Sequence, residues 1–127
     1  MKIAALIARI LLGLVFFVFG LNGFLNFIPT GPLPRGLAGQ FVTVLIQSHY
    51  VLFVSGIQVA GGVLLLVNRY VPLALVLLGP VIVNILLFHV LLNRTGLLIA
   101  IIVAILWFIV AFHLRKNFSG IFVQKTS

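Results

Sequence analysis

Aspartate, glutamate and cysteine are absent from this 127-residue chain, and only 6% of its residues are charged. Without side-chain carboxylates there is no paired-carboxylate acid–base catalysis, no Asp/Glu proton relay and no protein-built Mg²⁺ or Ca²⁺ cage. The lack of thiols excludes a thiolate nucleophile, a dithiol redox centre, a cysteine-ligated iron–sulfur cluster and a disulfide. What remains is 64% hydrophobic with a mean hydropathy of +1.42, whereas an ordinary soluble domain is about a quarter charged. These proportions predict an integral membrane protein. The net charge of +8 argues for no nucleic-acid partner, because the cations are scattered singly between apolar runs and form no basic face.

The run Asn68–Asn93, NRYVPLALVLLGPVIVNILLFHVLLN, shows no polar face at helical spacing, so its expected surroundings are apolar on every side. Residues 70–92 would be about 34 Å long as a helix, enough to cross a hydrocarbon core of roughly 30 Å with some tilt. Three further spans are expected at residues 3–27, 50–67 and 95–112. A secretory signal competes for the first, but Arg9 interrupts that run and no small-residue cleavage pattern follows it. Arg9 itself reads as an anchor snorkelling to the headgroups. IPTGPLPRG, residues 28–36, cannot continue a helix. After it, residues 37–47 set a polar stripe of Gln40, Thr43 and Gln47 against Leu37, Phe41, Val44 and Leu45, which predicts a short interfacial helix or lid. Residues 113–127 read as a basic tail without a domain of its own. The expected fold is therefore all-α, a four-helix membrane bundle with a short interfacial helix between its first and second spans.

Orientation follows from the cations at the span ends. Lys2, Arg9, Arg69, Arg115, Lys116 and Lys125 fall on one side, Arg35 and Arg94 on the other, which places both termini in the cytoplasm. The polar side chains then gather in the outer half: Asn22, Asn26 and Asn84, with Gln58 near mid-depth and His49 and His89 at the outer boundary. Lipid offers them no hydrogen-bond partner, so they are expected to face the interior. Either they bond one another and the backbone, or they line a pocket capped by residues 37–47 for a lipophilic ligand such as a quinone. Haem between His49 and His89 is weighed and set aside, since nothing beyond two imidazoles supports it. Pro80 removes a backbone hydrogen bond in mid-span and should free the Val76 carbonyl. By the 3.6-residue period, Asn84 and His89 point roughly 140° apart.

The stretches ARILLGLVFFVFGLNGFLNF and IQVAGGVLLLVNRYVPLALVLLGPVIVNILLFH, followed by a fourth apolar span, resemble the DoxX family of small four-helix membrane proteins. RYVPLAL and GPVIVNILLFH are the most specific parts. The resemblance implies a four-helix bundle with both termini inside. Its name-giving member is the small membrane subunit of a thiosulfate:quinone oxidoreductase, and relatives are linked to redox partner proteins. Members often carry Glu before the V-x-G-G of the second span, where this chain has Gln58. An amide keeps a hydrogen-bonding role and loses a proton-carrying one. The expected function is an accessory or anchoring subunit of a quinone-linked assembly in a bacterial inner membrane, its ligand contacts being Asn22, Gln58, Asn84 and His89. None of these is catalytic by itself. The expected partners are the bilayer, a redox protein and a second copy of the chain. The alternatives are a lipid or small-molecule binding or transport protein, and a structural helper docking through Gly13/Gly20 and Gly61/Gly62.

Overall fold

The computed structural model describes residues 2–26 and 34–122, and every regular element among them is helical. Helix α1 is Lys2–Leu25, α2 is Gly36–Gln47, α3 is Tyr50–Val67, α4 is Val71–Leu87 and α5 is Leu97–His113. Helix α4 runs on into a π-helical turn, Phe88–Leu92, and a 3₁₀ segment, Arg115–Phe122, follows α5. Three helices are long and apolar enough to cross a membrane: α1, α3 and α4 together with its π turn. Counting α5 and the 3₁₀ segment as one bent span makes four.

The turns explain the boundaries. Asn26 takes a left-handed backbone at φ 52° and donates its N–H to the Asn22 carbonyl at 2.8 Å, ending α1 at Leu25 where the periodicity alone ran to residue 27. Phe27 and most of the proline-rich stretch lie outside the described residues. Asn68 and Tyr70 are both left-handed, so the chain reverses between α3 and α4 in three residues. Asparagine tolerates that conformation well; tyrosine does not. Pro72 then sits in the first turn of α4, where its missing N–H costs nothing.

Helix α1 packs most extensively on α3, α4 bridges α3 and α5, and α5 closes the ring against α1. Leu12 and Phe16 of α1, Leu65 of α3, Leu75 and Leu78 of α4 and Val110 of α5 are fully buried at the centre. Glycines make the close approaches possible. A Cβ on Gly62 would lie 2.6 Å from the Phe17 backbone nitrogen, and one on Gly61 would lie 2.7 Å from Leu78. Two neighbouring glycines therefore serve two different seams, α1–α3 and α3–α4. Trp107 of α5 donates its indole N–H to the Leu75 carbonyl at 3.0 Å, tying α5 to α4 beside the Pro80 break. The outward faces stay apolar: Ile3, Phe53, Leu91, Leu98, Ile99 and Phe108 are all exposed.

Two details extend the sequence reading. In the tail after residue 113, read as basic and without a domain of its own, Arg115–Phe122 is 3₁₀-helical and Phe118 packs against the core. Its axis departs from that of α5 by 83°. Arg9 is more than an anchor: its guanidinium donates to the Leu65 carbonyl, linking α1 to the last turn of α3.

Candidate functional site

Helix α2 covers the start of α3 and the π turn of α4. Its sequence stripe explains part of the seating. Phe41, Val42 and Leu45 turn toward a cleft beneath it, while Gln40, Thr43 and the apolar Val44 line a separate shallow depression with Pro34. The Phe41 ring meets Phe88 with centroids 5.6 Å apart. Ser48 and the left-handed His49 make the turn into α3, the Ser48 hydroxyl accepting from the Tyr50 N–H at 3.2 Å.

The cleft has a volume of about 500 Å³, within the usual range for small-molecule sites of roughly 300–1,000 Å³. Its walls are aromatic and aliphatic, with Gln58, Asn84 and His89 as polar members. Three of the four residues singled out in the sequence thus meet in one place. Asn22 does not line it. Gly20 and Gly23 press α1 onto Val59 and Ser55 of α3, and Asn22 lies one turn beyond the Phe19 that borders a neighbouring cleft.

That second cleft, about 340 Å³, lies between α1, α3, α4 and α5 and shares Gln58, Ile85 and His89 with the first. These three residues form the wall between two apolar spaces. Asn84 and His89 line the same cleft although ideal helical spacing sets them far apart. The helix widens at Phe88–Leu92, where the Asn93 N–H bonds the Phe88 carbonyl at 3.0 Å across five residues. Such π turns occur often at functional sites.

Asn84 and His89 each have a defined hydrogen bond. Asn84 is exposed and donates its side-chain N–H to the Pro80 carbonyl at 3.0 Å, a bond within its own helix. One amide N–H and the side-chain oxygen remain for another partner. Nδ1 of His89 lies 3.1 Å from the Asn93 carbonyl. A carbonyl only accepts, so Nδ1 carries the hydrogen, and Nε2 of the neutral ring is an acceptor. The ring also packs on Gly96, where a Cβ would meet it at 3.1 Å. Gln58 is half-buried at the junction of the two clefts. The set offers a lipophile amide donors for a carbonyl oxygen and an imidazole acceptor for a hydroxyl.

His49 is exposed at the α2–α3 turn and lines neither cleft. Sequence reasoning missed Phe41, Tyr50, Val54 and Phe88 as walls. The hydrophobic pattern could have found Phe41, on the apolar stripe of α2, and Phe88, which falls on the face of Val81, Asn84 and Ile85 at ordinary helical spacing. No protein-family model, curated protein or solved structure matches this chain.

Proposed function

We propose that this chain is a four-helix membrane bundle of the DoxX type, an accessory subunit that holds a quinone or a similar lipophile in the cleft under α2. The observation that carries the reading is the meeting of Gln58, Asn84 and His89 in one apolar cleft of about 500 Å³. Nε2 of His89 and the free amide groups suit the hydroxyl and carbonyl ends of a quinol and quinone pair. The outward apolar faces support membrane insertion, because a surface so rich in exposed Ile, Leu and Phe is stable only against lipid or another protein. In this reading the cell membrane is the location, both termini are cytoplasmic, and the redox chemistry belongs to a partner protein.

The chain has no cysteine, so one introduced thiol is a unique label. Thr95→Cys, at the exposed turn before α5, is expected to react with a membrane-impermeant maleimide from outside intact cells. Ser119→Cys, in the 3₁₀ segment, is expected to react only after permeabilisation. The reverse pattern would invert the orientation, and free reaction of both would remove the membrane assignment.

The ligand is tested by native mass spectrometry of protein purified gently from its own membranes. Gln58→Leu is expected to weaken retention of the bound lipophile by roughly 1–3 kcal/mol, since the ligand's polar group is then buried without a partner. Asn84→Leu should cost less, because one of its N–H groups is committed to Pro80. Unchanged retention in both variants, with a loss of thermal stability in Asn84→Leu, would make these amides structural.

A second reading is favoured by the wall that Gln58, Ile85 and His89 make between the two clefts. A lipid or small lipophile passing from one to the other would have to cross it. A bound phospholipid in place of a quinone would select this binding or transport reading.

A further inference from the structure

At the opposite end from α2, α1 and α4 begin and α3 and α5 end around a basin of about 530 Å³. Lys2 and Arg9 enter it from α1, His113 from the end of α5, Asn68 and Tyr70 from the turn between α3 and α4, and Asn117 from the 3₁₀ segment. We propose that this basin binds a phosphate-bearing anion, the headgroup of an anionic phospholipid.

The charge argument comes first. With no Asp or Glu in the chain, no side-chain carboxylate can neutralise Lys2 and Arg9, so a counter-charge must come from outside. Four backbone acceptors at this end are already engaged. The Leu65 carbonyl receives Arg9 and the Asn68 N–H, Leu64 receives the Arg69 N–H, Phe112 receives Arg115, and Leu114 receives the Asn117 N–H. A guanidinium has five N–H donors, and the one bond to Leu65 leaves Arg9 able to grip an oxyanion as well. Phosphate oxygens accept such charge-assisted bonds well.

The shape supplies the rest. Ala5 and Val71 are buried in the floor, and exposed Leu6 carries the rim onto the apolar outer face of α1. An ion with no hydrocarbon would leave that rim bare; a phospholipid would place its phosphate among the donors and lay an acyl chain along Leu6. The basin is separate from the cleft under α2 and needs no quinone. It requires only that this end meet a headgroup layer.

The test uses the full chain in a neutral detergent, titrated with phosphatidylglycerol, with phosphatidylcholine of the same acyl chains, and with inorganic phosphate. Lipid adducts are counted by native mass spectrometry and thermal unfolding is followed in parallel. Phosphatidylglycerol is expected to bind and stabilise most. Lys2→Gln should weaken it roughly tenfold, and Arg9→Gln by more. Because Arg9→Gln also loses the Leu65 bond, His113→Gln serves as a variant that leaves α1 and α3 joined. Arg115→Gln removes a cation outside the basin and should leave binding unchanged. Equal affinity for the two lipids, or an equal loss in Arg115→Gln, would overturn the proposal. Saturation by inorganic phosphate with no gain from acyl chains would overturn the lipid as its source and leave a free phosphate in its place.

Discussion

Gly62→Ala is expected to destabilise the protein by roughly 1–3 kcal/mol, because the added methyl has nowhere to go. Its Cβ would lie 2.6 Å from the Phe17 nitrogen and 2.9 Å from the Gly13 carbonyl oxygen. Both are backbone atoms, so no side-chain rotation relieves the clash and α1 must move away from α3. Gly56→Ala on the same helix is the control, since its Cβ would meet only the tip of Phe24, at 3.9 Å. Alanine also improves on glycine in a helix interior by roughly 0.5–1 kcal/mol, so the control should be neutral or slightly more stable. Thermal unfolding of both variants in detergent measures the difference. If the two changed stability alike, the close α1–α3 seam would be wrong. The seam matters for the site because α3 carries Gln58, whose Cβ lies beside Gly20 of α1.

Filling the cleft should have the largest effect on ligand. Val54 is half-buried and lines the space between α2, α3 and α4; Val54→Trp places an indole where the lipophile would sit. Bound ligand is expected to fall below detection in native mass spectrometry. Overpacking should cost about 1–3 kcal/mol in stability, with the helices still assembled. The matching change Leu98→Trp, at a site 71% exposed on α5, should leave retention untouched. Ligand kept by Val54→Trp would place it elsewhere, the cleft of Val15, Phe19 and Ile99 being the next to examine. Loss in both variants would mean that the molecule is a loosely held lipid.

The long apolar helices were legible because their composition is extreme and their ends carry punctuation. Tyr50–Val67 has the expected boundaries, and Asn68 and Gly96 close or open helices where left-handed backbone is needed. Absences were as informative: no folding event can supply a carboxylate or a thiol that the chain lacks, so whole classes of chemistry were excluded before any coordinate. The short helix α2 was readable too, from the polar stripe of Gln40, Thr43 and Gln47 along it.

Tertiary structure decided nearly everything about which face meets which. A helix that is apolar all round carries no moment to mark its inward side, and the same leucines serve core and exterior. Leu12 is fully buried while its neighbours Leu11 and Leu14 are exposed. For that reason the sequence could name Gly61 and Gly62 as close-packing residues but not assign them to different neighbours. It placed Asn84 on the face of Pro80, but not the bond of its amide to the Pro80 carbonyl, nor the π turn at Phe88–Leu92 in which His89 lies. Arg9 and Trp107 each find a carbonyl on another helix, Leu65 and Leu75. Such partners are fixed by register between helices, and register is set by the packing of many weakly distinguishing side chains at once.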